Sequence, residues 1–309
     1  MQNDKKDEEK GMGSTANNDY VIITDSATDM PQEVIERYQL HVIPTPVVVD
    51  GIDYFDGETI YPKDFYAYQR EHREISTYHI NTYMFKEHFR PYAERGETVI
   101  YVCFSTGLAG TYNAARLAKE ELLEEYPDWD ITIVDSKCAS LGFGLLVYYA
   151  LRMQEHGADK DTVIQALEYH REHIKHIITV ETLEYLFQGG RLSRTSMVVG
   201  GVLDIKPIIH MDENGSLKAI EKVRGRNKSL KRMVELIGEW CKNPEEQLFG
   251  VCHGDDYETM KQVEEMICSK YGPVSFLENY VGCAIGAHTG TGIIGIVFLD
   301  EESKYKEWL

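Results

Sequence analysis

The sequence predicts an α/β fold in two domains: an N-terminal parallel sheet with covering helices, then a C-terminal mixed α/β sheet. Two observations carry this. Between Thr98 and His173, short β-branched runs alternate with amphipathic helical stretches, the pattern of a parallel sheet. After residue 200 a hairpin pattern enters, IKPIIHMDENGSLKAIEKV with Asn214-Gly215 at its turn, so an all-parallel sheet is excluded there. The 309 residues, 43% hydrophobic and 27% charged, are ordinary globular usage, and the length divided by about 150 gives two domains.

The first 18 residues, MQNDKKDEEKGMGSTANN, lack an apolar core and read as a solvated, disordered leader rather than a secretory signal. Order is expected from Asp19, with domains over 19–175 and 176–309. Tyr20–Ile23 is a strand, and Pro31 opens a helix at its first position. HVIPTPVVVD is extended because residues before proline avoid the helical region, and Asp50-Gly51 marks a turn. YPKDFYAYQR and FKEHFRPYAE read as short helices, the second interrupted by Pro91. Thr98–Phe104 is a strand feeding the loop Ser105–Gly110. In the next helix Ala115, Ala118, Leu122 and Tyr126 form one apolar stripe. ITIVD is a strand, followed by helices over Leu141–Met153 and Lys160–His173. The second half reads as strand HIITVET, short helix TLEYLFQGG, the hairpin, helix Arg226–Trp240, strand LFGVCHG, helix Asp255–Tyr271, strand VSFLENYV, a glycine-rich segment and strand IIGIVFLD.

Composition removes several function classes. Lys+Arg 32 against Asp+Glu 51 gives a net charge of -19, which repels nucleic-acid backbones and anionic membranes. No apolar run reaches about 18 residues, so no membrane-spanning segment is expected. The six cysteines contain no C-x-x-C pair, and several sit in apolar runs, as buried reduced thiols in a cytoplasmic protein would. No metal site or cofactor is expected: His170, His173 and His176 fan around a helix and read as solvated or helix-terminal. Gly290-x-Gly292-x-x-Gly295 matches a dinucleotide fingerprint in letters only. An apolar strand follows where a helix is needed, so it reads as a loop making a close backbone approach.

Four features bear on chemistry. Asp25 and Ser26 follow the first strand. They either satisfy backbone donors at the turn or touch a ligand. Asp25 is also where a phosphotransferase or hydrolase would carry its nucleophile, although Ala27 stands where such enzymes carry a second aspartate. Ser105-Thr106-Gly107-Leu108-Ala109-Gly110-Thr111 joins a strand to a helix. It is either an ordinary cap or an anion site built on the helix N-terminus, with Gly107 and Gly110 giving the loop its turn. Gly189-Gly190-Arg191-Leu192-Ser193-Arg194 and Glu221–Lys228 reverse the local sign of charge, placing Arg191, Arg224 and Arg226 where an anionic group or acidic partner would dock. His288 is a polar residue in a small, apolar stretch.

In their order and spacing, VIITDSATDMP, STGLAGTYNAA, VDSKCASLGFG, GGRLSR, KPIIHMDENGSLKAIEKVRGR and GAHTGTGIIG resemble the DegV family over about Tyr20–Leu299. That resemblance implies a ligand tunnel near the domain junction, holding a long-chain, palmitate-like fatty acid with its carboxylate at a polar end. The family's T-S-Q-P-S segment falls on Thr77-Tyr78-His79-Ile80-Asn81, which carries over Thr77. Its S-S-x-L-S-G-T falls on Ser105–Thr111, which adds Ser105 and Thr106 as carboxylate ligands. Arg191, Arg224 or Arg226, and His288 match positions that face a phosphorylated head group or the partner. The implied role is a non-catalytic carrier that presents the carboxylate to a separate fatty acid kinase. The alternatives are a phosphotransferase or hydrolase using Asp25, and a regulatory module that reads the lipid as a signal.

Overall fold

The computed structural model describes residues 19–193 and 204–309. The expected leader and Arg194 lie outside the described residues. The described residues form three sheets. The first is parallel, in the order β2-β1-β6-β7, from β1 (Val21–Asp25), β2 (His41–Ile43), β6 (Val99–Cys103) and β7 (Ile131–Asp135). The second has the order β10-β9-β8-β13-β11-β12, from β8 (Ile174–Thr179), β9 (Ile205–Met211), β10 (Leu217–Arg224), β11 (Leu248–His253), β12 (Ser275–Tyr280) and β13 (Ile294–Leu299). All of its pairings are antiparallel except β11 with β12, so it is mixed. A small antiparallel sheet, β4-β3-β5, joins β3 (Pro46–Val49), β4 (Ile52–Phe55) and β5 (Ile75–Thr77).

The layers follow from strand alternation. On β6, Val99, Tyr101 and Cys103 face the helices α3 (Thr82–Arg95) and α4 (Thr111–Glu125), while Ile100 and Val102 face α5 (Ser140–Glu155). On the mixed sheet, Ile177, Ile208, Val251 and Ile296 face α8 (Arg226–Trp240) and α9 (Tyr257–Tyr271), while Ile209 and Val297 face α5. Helix α5 therefore sits between the two large sheets. Its run SLGFGLLVYYALRMQE is mostly apolar and mostly buried, as a central helix must be, and the exposed or partly exposed Tyr148, Arg152, Gln154 and Glu155 lie in its second half. One core cluster draws on both halves of the chain, since Ile22, Val102 and Leu145 share it with Ile209, Cys252 and Val297. Helix α6 (Lys160–His173) packs beside α5.

Four expectations need correction. Pro91 does not interrupt α3; Phe85, Phe89 and Ala93 pack its buried face against Tyr101 and Trp129, and Asn81 caps it by accepting from the Met84 amide at 3.0 Å. Residues 75–77 form β5, too short for an alternation signal. The glycine-rich stretch holds a helix, α10 (Cys283–Thr289), whose first amides are accepted by the distant Asp56 carboxylate. His170 and His176 are buried rather than solvated; His170 and His173 both lie in the last turn of α6, His173 half-buried on Asp300, while His176 is on β8. The Gly290–Gly292 turn does make close approaches. Both glycines have positive φ, and a side chain at Gly292 would meet Glu181. All six cysteines are free.

Candidate functional site

A cavity of about 330 Å³ lies where the small sheet, the start of α4, the start of α5 and the inner face of the mixed sheet meet. Strand alternation supplies its apolar wall. Ile178 and Val180 project from β8 and its end, Val297 from β13, Ile209 from β9 and Leu217 from β10. Phe104 and Leu108 close the opposite side, and α7 (Glu184–Gln188) adds Leu186.

One end of the cavity is polar. Thr77, the last residue of β5, reaches His288 on α10, with Oγ1 2.7 Å from Nε2. His288 packs so closely on Gly189 that any side chain there would strike its Nδ1. This contact places Arg191, two residues on, at the same end of the cavity. Burial, with the Arg191 charge adding, holds the His288 imidazole down to about 4, so it is neutral near pH 7. Burial also lowers the pKa of Arg191, but a guanidinium stays charged. Gly110 and Thr111 bring the start of α4 into the lining beside His79, and no side chain caps that helix. The positive pole of this 15-residue helix, whose first amides have no side-chain partner, therefore lies at the cavity lining.

The structure separates residues the sequence grouped together. Ser105 and Thr106 are not in the cavity lining. Ser105 is buried with Oγ donating to the Gly215 carbonyl at 2.7 Å, and the Thr106 hydroxyl donates to Asp135 at 2.6 Å. Both hydroxyls are spent on holding the loop, Ser105 against the β9–β10 turn and Thr106 against the end of β7. Gly107 is needed there because a side chain would strike the Gly215 backbone, while Gly110 leaves room for the His79 ring. Arg226 is also withdrawn: it pairs with Glu181 at 3.1 Å and Asp256 at 3.5 Å, tying the start of α8 to two loops. Arg224 is exposed on β10, an outer strand of its sheet.

Asp25 lines the cavity, and both of its oxygens are occupied. Oδ1 accepts from the Ala27 amide at 3.1 Å; Oδ2 accepts from the Tyr101 hydroxyl at 2.9 Å and the Phe104 amide at 3.2 Å. Burial raises its pKa to about 6 against the pull of these donors. Ser26 Oγ accepts from the Thr45 amide at 2.9 Å. Among the described residues, no group of three or more His, Cys, Asp or Glu is placed to hold a metal ion.

Sequence reasoning missed Thr111, Ser140 and His176 as cavity residues. The signal for His176 was available. It opens the strand HIITVET and shares the period-two face of Ile178 and Val180, but on sequence it is weighed only as a member of the His170, His173 and His176 group.

Residues 19–301 match the family model described as an uncharacterised protein of the DegV family. The chain belongs to the DegV family. A DegV domain-containing protein of Clostridium perfringens is 38% identical over 284 residues, covering 91% of this chain and 98% of that one. Among solved structures, a DegV protein of Thermus thermophilus described as fatty-acid binding superposes with a TM-score of 0.80 at 28% identity, covering 91% of this chain and 99% of that one. A stearic-acid-binding protein of Eubacterium ventriosum reaches a TM-score of 0.84 at 27% identity, covering 93% and 99%. The parallel sheet beside a mixed sheet is thus the DegV fold. No described helix of this DegV chain is long and apolar enough to cross a membrane.

Proposed function

We propose that this DegV protein is a cytoplasmic fatty-acid carrier that buries a long acyl chain and presents its carboxylate to a separate fatty acid kinase, which makes the acyl phosphate. The observation that carries the reading is the cavity itself, with an apolar wall and with Thr77, His288 and Arg191 gathered at one end. A buried carboxylate is costly unless several donors converge on it. The Thr77 hydroxyl, freed to donate when the neutral His288 donates from Nε2 to its oxygen, and the uncapped amides of α4 are donors of that kind, and Arg191 supplies charge. Each CH₂ taken from water contributes about 0.8 kcal/mol, so the tail supplies most of the affinity. The fatty-acid-binding relatives of the same fold favour this assignment over another apolar ligand.

In this reading, Arg191 neutralises the head group and its phosphate, and the exposed Arg224 contributes to kinase docking. Arg226 organises the loops behind them. In this reading the protein supplies no catalytic group, and the Asp25 carboxylate in the lining is engaged by the Tyr101 hydroxyl and the Phe104 and Ala27 amides. The test is reconstitution of the protein with ATP and a fatty acid kinase. Acyl phosphate should form only when both proteins are present and should fall sharply with Arg224→Ala, while lipid binding is kept. Lipid binding without any phosphorylation would leave a binding or signalling module instead.

A further inference from the structure

More donors gather at the mouth of the cavity than one carboxylate needs. Among the lining residues only Tyr78 and His79 are exposed, so they mark where it opens. The His79 ring packs on Gly110, the residue before α4. His79 also follows Thr77 by two residues. The opening therefore lies beside both the Thr77–His288 pair and the start of α4.

Thr111, the first residue of α4, is 4% exposed and lines the cavity. Its hydroxyl has no hydrogen-bond partner among the described residues, where a buried hydroxyl ordinarily has one. The oxygen is not sealed from open space, and with the rest of the residue buried, the space it meets is the cavity. The first bond inside α4 runs from the Ala114 amide to the Gly110 carbonyl at 3.1 Å, so the Thr111, Tyr112 and Asn113 amides have no acceptor within the helix. In α3 and α6 a side chain, Asn81 or Asp159, accepts from a first-turn amide; in α4 none does. A carboxylate between Thr77 and Arg191 offers about four lone-pair sites and leaves part of this set unused.

We propose that the start of α4 and the Thr111 hydroxyl form a phosphoryl subsite, which holds the phosphate of a long-chain acyl phosphate while its acyl carbonyl stays at Thr77. This inference rests on the carrier reading above and deepens it by placing the product. A phosphoryl group added to the carboxylate comes from outside, through the opening marked by His79, and so arrives beside α4. Its free oxygens take the first-turn amides, the seat that a helix N-terminus offers phosphate, and one takes the Thr111 hydroxyl in a charge-assisted hydrogen bond. Arg191, at the same end, offsets the added charge. These residues make and break no bond; they hold the product in place.

The test uses hexadecanoate and the methylene phosphonate analogue of hexadecanoyl phosphate, in which CH₂ replaces the bridging oxygen. Each displaces a fluorescent fatty acid from wild type, Thr111→Val and Thr111→Ser. Thr111→Val should weaken the analogue about tenfold, as loss of one hydrogen bond to a charged group predicts, and hexadecanoate by about twofold at most; Thr111→Ser should restore the analogue. Equal weakening of both ligands, or of neither, overturns the proposal. Should Thr111→Val fail to fold, amide NMR of the wild type decides. The Thr111, Tyr112 and Asn113 signals should move further with the analogue than with hexadecanoate, and equal movement overturns the proposal. Inorganic phosphate moving these signals where the analogue does not would make this a free-phosphate seat and overturn it as well. If neither hexadecanoate nor the analogue displaces the probe, the carrier reading itself fails; if only the Thr111 effects are missing, that reading stands and this one falls.

Discussion

Thr77 on β5 and His288 on α10, 211 positions apart in the chain, meet at 2.7 Å across the polar end of the cavity. The pair joins the small sheet to the helix that precedes β13, so one hydrogen bond closes the site and presents two polar groups. Thr77→Val keeps the side-chain shape and deletes the hydroxyl. Fatty-acid affinity should fall about tenfold, from the loss of one hydrogen bond to a charged group, and unfolding free energy should fall by about 1 kcal/mol because His288 loses its partner. Titration of the purified variant with a fluorescent fatty acid checks this.

His288 makes the site pH-dependent. Its folded-state pKa is depressed to about 4 by burial and by Arg191. A depressed histidine contributes stability that is present above its ordinary value and is lost as pH falls through the folded pKa. Urea midpoints of the ligand-free protein should therefore drop between about pH 6.5 and 4, and His288→Gln should flatten part of that drop. A bound carboxylate favours the imidazolium, so NMR titration should find the His288 pKa higher with ligand than without.

Ser105 and Gly215 form the clasp between the β6–α4 loop and the β9–β10 turn. Ser105→Ala should cost about 1–2 kcal/mol of unfolding free energy by stranding a buried carbonyl, with fatty-acid affinity unchanged. Gly215→Ala should cost more, because the position has φ +71° and a Cβ there would strike the Ser105 hydroxyl. Denaturant unfolding and ligand titration of the same samples separate the two effects.

Asp25 gives the opposite pH sign to His288. Its pKa is raised to about 6 by burial, so its stabilising contribution is complete at low pH and is lost as pH rises from about 4 through 6. Asp25→Ala should remove a slope of at most about 1.4 kcal/mol per pH unit in that window. It should lower overall stability by freeing the Tyr101, Phe104 and Ala27 donors. If the chain were a hydrolase or phosphotransferase using Asp25, the isolated protein would release phosphate from phosphoesters, and Asp25→Asn would abolish that release.

The fold was readable where periodicity was long. Helices α4, α6 and α8 and the hairpin at Asn214-Gly215 stand where apolar spacing and turn chemistry put them. It was not readable where distant groups make the local structure. Helix α10 is seven residues of Cys-Ala-Ile-Gly-Ala-His-Thr, with weak helical propensity, and depends on Asp56 to hold its first amides. Thr77, Arg191 and His288, far apart in the sequence and named there for a shared site, come together at one end of the cavity. The sequence could not separate Ser105 and Thr106 from them, because a hydroxyl in a glycine-rich loop is written the same way whether it grips a ligand or the loop. Their partners Gly215 and Asp135 are 110 and 29 positions away.

Native mass spectrometry of the freshly purified protein, followed by identification of extracted lipid, bears most directly on the buried acyl chain. One long-chain fatty acid per protein, released on denaturation and depleted in Thr77→Val, is the expected result. A ligand-free protein that takes up no fatty acid when one is added would contradict the account.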